Sequence, residues 1–363
     1  MKILYLAATN SIHAVRWIQY FVERGHQVTW VSLAPPIKEA EDLIKRTNFF
    51  EIKPSPLGDI NGFFALTYLP GAVWNTRKIL KDTKPDVIHV HSVGTYGLVG
   101  ALSRFHPLVL SVWGSDILLP TGLKKKLVQY VLKQGDCITY DGYNAEEKLI
   151  ELGVEQGKME HVRFGIDLTK FKSLENHKAQ EETVRIISLR SLEPLYDVES
   201  FIKAAARVAS RARNVEFIVA GDGSERERLE GLAYELGLQQ ELRFIGRYDA
   251  KNLPQMLAEA DIYVSTSLSE SGLAASTSEA MAAGLPLVVS DSGDNKVWIE
   301  GKGGFVVPLK DPEALAEKIM YLIENPEARK NFGAYNRQIT FEKNNYHKEM
   351  EKMEKIYERL LQK

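Results

Sequence analysis

Cysteine is almost absent from this chain. Cys137 is the single one in 363 residues, which excludes an intrachain disulfide and a cysteine-built metal cluster, and suits a reducing compartment. Net charge is nearly absent too: 46 Lys and Arg against 48 Asp and Glu leave −2. No global electrostatic attraction to nucleic acid follows. No apolar run approaches the roughly 20 residues that span a bilayer. The first apolar run, residues 3–8, is too short for a signal-peptide core and reads as a buried strand. After it comes Thr9-Asn10-Ser11-Ile12-His13 with no glycine, so the dinucleotide fingerprint of NAD and FAD enzymes is missing. Aspartates spaced Asp-x-Asp, which would hold a divalent metal on a diphosphate, are missing as well.

What is present is the composition of a soluble globular chain, 44% hydrophobic and 26% charged, with a length that favours two domains. KILYLAA, a helix near 11–24, QVTWVSL, DVIHVHS, PLVLSVWG and CITYDG alternate in the manner of a parallel, helix-covered sheet. The polar stretch SLENHKAQEET lacks apolar periodicity and reads as a linker. A second alternation follows: VRIISLR, a helix near 198–209, VEFIVAGDG, a helix near 224–236, ELRFIG, DIYVST and PLVVS. The expected domains are 1–172, a linker at 173–183, and 184–340. A charged helix near 346–361, with Met350, Met353, Ile356, Tyr357, Leu360 and Leu361 at helical spacing, is expected to cross back to the first domain within a segment 341–363.

The richest stretch is 270–284, ESGLAASTSEAMAAG, between the strands DIYVST and PLVVS. Open α/β sheets bind ligands at the carboxyl ends of their strands. Ser271, Gly272 and Leu273 present backbone N–H groups at the start of a small-residue helix, a ready anion site. Glu279 is a carboxylate inside that helix and needs hydrogen-bond donors. A ribose diol would supply them; a capping role or a bridge to a distant Arg or Lys is the alternative. Arg190 ends the first strand of the second alternation, where its planar fork suits a diphosphate or a surface position. Gly221-Asp222-Gly223 is either an ordinary turn or a place where a ligand approaches backbone. His89 and His91 alternate at a strand end, and His91 at the tip is the better ligand candidate.

Together these segments resemble the family-4 retaining glycosyltransferases of the GT-B fold. The resemblance is carried by ILYLAATNSIHAVRW with RGHQV, DVIHVHS, VWGSD, FGIDLTKF, VAGDGSERERL, LRFIG and ADIYVSTSLSES with SEAMAAGLPLVVSD. It implies two facing Rossmann-like domains with a cleft between them. It also implies transfer of a sugar from a UDP- or GDP-sugar to a glycan or lipid-linked acceptor of cell-envelope biosynthesis, with anomeric retention. On that resemblance Glu279 binds the ribose, while Arg190 and the amides of Gly272, Leu273 and Ala274 bind the diphosphate. The strand-end glycines Gly221 and Gly223 belong to the same donor site, and Arg247 and Tyr248 lie near the base. His91 meets the donor sugar, and His13 and Asp116 shape the acceptor side. The leaving phosphate helps to deprotonate the acceptor, so no protein nucleophile, metal or cofactor is required; the nucleotide-sugar is a substrate.

Two departures stand out. The family separates its two glutamates by seven residues, whereas Glu270 and Glu279 are separated by eight, which leaves Glu270 or Ser271 to meet the sugar. The lysine expected shortly after the arginine is replaced by Leu195 and Tyr196. A sugar-nucleotide epimerase and a non-catalytic nucleotide-sugar-binding protein are the alternatives. The chain is expected in the cytoplasm. The uncharged stretch 60–76, with Phe63, Phe64, Tyr68 and Trp74, and the lysines 124, 125, 126 and 133 fit either core packing and a solvated face or a peripheral contact with the inner membrane surface.

Overall fold

The computed structural model describes residues 1–52, 65–172 and 183–362. Two compact units divide it, one made of Met1–Phe164 with Lys348–Lys363, the other of Gly165–His347.

The first unit is built on seven parallel strands: β1 (Lys2–Leu6), β2 (Gln27–Ser32), β3 (Asn48–Glu51), β4 (Val87–His91), β5 (Leu108–Ser111), β6 (Cys137–Tyr140) and β7 (Met159–His161), in the order β3-β2-β1-β4-β5-β6-β7. β4 is buried along its whole length, as expected of a central strand covered by helices on both faces. The helix Ile12–Glu23 follows β1 because Ser11, in extended backbone, accepts a hydrogen bond from the Ala14 amide. It buries Ala14, Val15, Trp17, Ile18 and Phe21 on one face. Strand order reverses between β1 and β4, which makes their carboxyl ends the switch point of this sheet.

The helix Tyr346–Leu361 completes this unit. Met350, Met353, Ile356 and Tyr357 are buried, and the Tyr357 hydroxyl shares a hydrogen bond of 2.8 Å with Tyr5 of β1 and another with His89 Nδ1 of β4. Glu354 accepts from Arg24 at 3.1 Å and pairs with His26 at 2.7 Å.

Six parallel strands form the second unit: β8 (Val184–Ser188), β9 (Val215–Val219), β10 (Leu242–Phe244), β11 (Ile262–Ser265), β12 (Leu287–Ser290) and β13 (Gly304–Val307), in the order β10-β9-β8-β11-β12-β13. Its switch point lies between β8 and β11. Val198, Phe201, Ile202, Ala205 and Val208 give the helix Val198–Ala209 a single buried face at 3.6-residue spacing. The small residues around 280–284 receive the helix Pro326–Lys343, where a side chain at Gly333 would strike the Gly284 carbonyl and Arg337 donates to the Ala282 carbonyl at 2.7 Å.

The two units divide the chain at points other than the expected boundaries. Residues 165–172 and 341–347 belong to the second unit, because Ile166, Leu168 and Phe171 pack with Ile187, Leu257 and Met281 of its core. Most of the expected linker, 173–182, lies outside the described residues, as do 60–64 of the uncharged stretch. From Ala65 onward that stretch is part of the helix Ala65–Thr83, which buries Ala72, Val73, Ile79 and Leu80 and leaves Trp74 exposed. Among the described residues no helix is long and apolar enough to cross a membrane.

Candidate active site

At the switch point of the second unit, loops after β8 and β11 meet around Arg190. This guanidinium is buried and makes three fixed contacts. Nη2 pairs with Glu270, Nη1 donates to Ser276 Oγ at 2.9 Å, and the carbon centre stands 4.3 Å from the Tyr196 ring centroid. Tyr263 of β11 donates to the same Ser276 hydroxyl at 3.0 Å. Arg190 Nε is buried without a partner among the described residues. The charge is therefore neutralised by Glu270, oriented by Ser276 and covered on one face by Tyr196.

Local backbone explains why these groups converge. The turn 194–196 after β8 is tied to the loop after β11, since Leu268 donates to the Leu195 carbonyl and Thr266 Oγ1 to the Tyr196 carbonyl, each at 2.9 Å. Glu270 is backed by Gly293, which has φ +56 and whose missing side chain leaves room for the Glu270 Cβ and the Gly272 carbonyl. Asp294 N donates to that Gly272 carbonyl at 3.0 Å. The helix Ala275–Ala282 starts immediately after this loop, and among the described residues its N-cap position, Ala274, makes no side-chain cap hydrogen bond. Glu279 is half-buried in the second turn. Burial, and after it the Glu279 carboxylate, pushes the Tyr248 phenol upward, which places Tyr248 in the field of Glu279, while Arg247 is exposed.

The two glycines after β9 have a different explanation from a ligand's approach. A Cβ at Gly221 would collide with the Arg190 carbonyl, and one at Gly223 with the Leu192 carbonyl. Leu192 N donates to the Asp222 carbonyl at 3.1 Å and Glu225 N to the Leu192 carbonyl at 2.8 Å. The approach they permit is that of the chain's own backbone, which fixes the loop carrying Arg190.

The switch point of the first unit holds a different kind of cluster. His91 ends β4 and is buried against Trp17 and Trp113, with ring centroids 5.2 and 5.4 Å away. Phe164 closes the group 5.1 Å from Trp113, and His13 stands 5.4 Å from Phe164. Both His91 ring nitrogens and the indole N–H groups of Trp17 and Trp113 are buried with no partner among the described residues. Burial, then the neighbouring His13, lowers His91 to about 3, and burial, then Arg16, lowers His13 to about 4. Both imidazoles are neutral at physiological pH.

His89, two residues earlier on the same face, is absorbed by the core. Its Nδ1 meets Tyr357 and its Nε2 meets Ser111 Oγ at 2.6 Å, and Ser111 continues to Thr139 at 2.6 Å. Asp116 is also committed: its two carboxylate oxygens accept from the amides of Val93 and Trp113, each at 2.9 Å. It holds the loops after β4 and β5 together and carries Trp113, so its part in this site is indirect.

The structure thus gathers Arg190, Glu270 and the 271–274 loop, with Glu279 a turn deeper in the helix that follows, and in the other unit His13 with His91. Ser276, Tyr263, Trp17, Trp113 and Phe164 were not singled out by the sequence reading, although Trp113 and Phe164 lie inside the motifs VWGSD and FGID.

Comparison with known proteins bears on the family and the fold. Residues 169–339 match the family model for glycosyl transferases group 1, and residues 2–141 match glycosyl transferase 4-like proteins. An uncharacterized glycosyltransferase of Methanocaldococcus jannaschii is 28% identical over 243 residues, covering 65% of this chain and 62% of that protein. A phosphatidyl-myo-inositol mannosyltransferase of Mycolicibacterium smegmatis is 24% identical over 340 residues, 89% of this chain and 83% of that one. The fold matches Anabaena HepE in complex with UDP and glucose with a TM-score of 0.78 at 18% identity, over 98% of this chain and 99% of that one.

Proposed function

Because the chain belongs to the group 1 glycosyltransferases of the GT-B fold, we propose that it moves a sugar from a UDP- or GDP-sugar to a glycan or lipid-linked acceptor with retention of anomeric configuration. The observation that carries this reading is the preset Arg190 beside an uncapped helix N-terminus with Glu279 in its second turn. Arg190 and the amides of Gly272, Leu273 and Ala274 hold the diphosphate, for which a cation and a helix N-terminus are complementary. The Glu279 carboxylate accepts from the ribose diol, and Tyr248 lies toward the base.

In the first unit, His91 offers a neutral imidazole to the transferred sugar, and His13, Trp113 and Phe164 form the surface on which an acceptor rests. Asp116 is held by two amides, so it is not poised as a nucleophile. That supports a route in which the leaving phosphate takes the acceptor proton on the face it departs from. HepE holds UDP and glucose, and the M. smegmatis enzyme is named for a phosphatidylinositol acceptor; both are consistent with this substrate class. Exposed Leu119 and Leu123 beside exposed Lys124 and Lys126 offer a peripheral contact for a lipid-linked acceptor, and the protein would work in the cytoplasm at the inner membrane face. Co-sedimentation with anionic vesicles at low salt tests that placement. Nothing in the structure favours an epimerase.

Thermal unfolding with a panel of UDP-, GDP- and ADP-sugars tests the donor assignment. A true donor at 100 times its dissociation constant raises stability by roughly 2.7 kcal/mol. Glu279→Ala is expected to remove most of that gain, and an unchanged gain would reassign the ribose site.

A further inference from the structure

Resting on the donor reading above, the geometry points to Glu270 as the positioning residue of Arg190, which leaves the end of the loop at Ser271 to face the transferred sugar. Several features of the site converge on this division of labour. The Glu270 backbone is held close to the neighbouring turn: its Cβ sits in the space left by the side chain that Gly293 lacks, and the next residue of that turn, Asp294, donates to the Gly272 carbonyl. The carboxylate and the guanidinium are both largely buried, with side chains 17% and 9% exposed. An arginine so enclosed requires a counter-charge in place.

The neighbouring contacts show what the pair replaces. Where a lysine would reinforce the arginine, this chain has Tyr196, whose ring covers the guanidinium face at 4.3 Å and brings no second cation. Tyr196 supplies no cation at that position, so the orientation of Arg190 matters more. Three groups set that orientation: Glu270 on Nη2, Ser276 on Nη1 and Tyr196 on the face.

Binding of UDP and of GDP, which lack the sugar, separates this role from direct contact with the sugar. Isothermal titration of wild type, Glu270→Gln, Glu270→Asp and Ser271→Ala against both nucleotides and against the UDP- or GDP-sugar accepted in the thermal panel is the experiment. Positioning predicts that Glu270→Gln weakens the free nucleotide and the nucleotide-sugar alike, on the order of tenfold, that Glu270→Asp recovers part of the loss, and that Ser271→Ala weakens only the nucleotide-sugar. An unchanged affinity for the free nucleotide with a weakened nucleotide-sugar in Glu270→Gln would overturn the inference, since Glu270 would then read the sugar itself. Tighter free nucleotide in that variant would overturn it too, because Glu270 would be a competitor of the phosphates. Wild type that binds neither nucleotide would refute the donor reading instead, a failure visible before any variant is compared.

Discussion

The two units share one topology and place their candidate groups at the same point of it, yet the chemistry at the two switch points is opposite. In the second unit the loops and helix after the strand ends carry Arg190, Glu270 and Glu279, a charged set in which Arg190 and Glu270 are paired with opposite sign. In the first they carry His13, Trp17, His91, Trp113 and Phe164, a set of rings whose two imidazoles are held neutral by burial. A parallel sheet thus fixes where a ligand goes, whereas the loop residues decide what it is. The charged cluster suits a diphosphate; the ring cluster, with several N–H groups and apolar faces, suits an uncharged polyol.

Substitutions test how separate the two chemistries are. Arg190→Ala has the largest expected effect: it removes the proposed phosphate contact and breaks the largely buried pair with Glu270, a change that costs about 3–5 kcal/mol for a buried pair. Donor kcat/KM should fall by a factor on the order of a hundred or more. Steady-state kinetics with saturating acceptor would measure it, and a small loss would remove Arg190 from the site. Tyr357→Phe acts on the other unit only. It strips His89 and Tyr5 of a buried partner at a cost of about 1–3 kcal/mol, so the midpoint of chemical unfolding should drop while UDP and GDP affinity stay as in wild type. Loss of nucleotide affinity in this variant would break the separation.

A third test is a pH dependence. His91 and His13 have folded-state values of about 3 and about 4, below the roughly 6.5 of an unfolded histidine. The unfolded chain therefore binds these protons first, and the stabilisation is whole above about pH 6.5 and declines as pH falls toward 4. His91→Phe should flatten this decline, measured by denaturant unfolding between pH 7 and pH 4. An unchanged slope would show that the ring cluster is protonated in the folded state after all.

Much of the frame was legible because central strands are long apolar runs. β1, β4, β8 and β11 stand out in the sequence for that reason, and the helix Val198–Ala209 for its spacing. β3, β7 and β13 were not read: they are edge strands of three or four residues, partly exposed, and their pairing depends on neighbours far away in the chain. At the site, Arg190 and Glu279 were legible as charges in unlikely company. The partnership of Arg190 with Ser276 and Tyr196 was not, because it requires knowing that the turn 194–196 is tied to the loop after β11. Likewise, nothing local to Gly221 shows that the Arg190 carbonyl fills the space above it.

The helix Tyr346–Leu361 sets an order on biosynthesis. Its Tyr357 is 352 residues from Tyr5, so β1 and β4 leave the ribosome with two buried polar groups whose partner has yet to be translated. The second unit, continuous from Gly165 to His347, is made whole in the meantime and can fold first. The N-terminal unit acquires these two contacts only when the helix brings the Tyr357 hydroxyl to Tyr5 and His89.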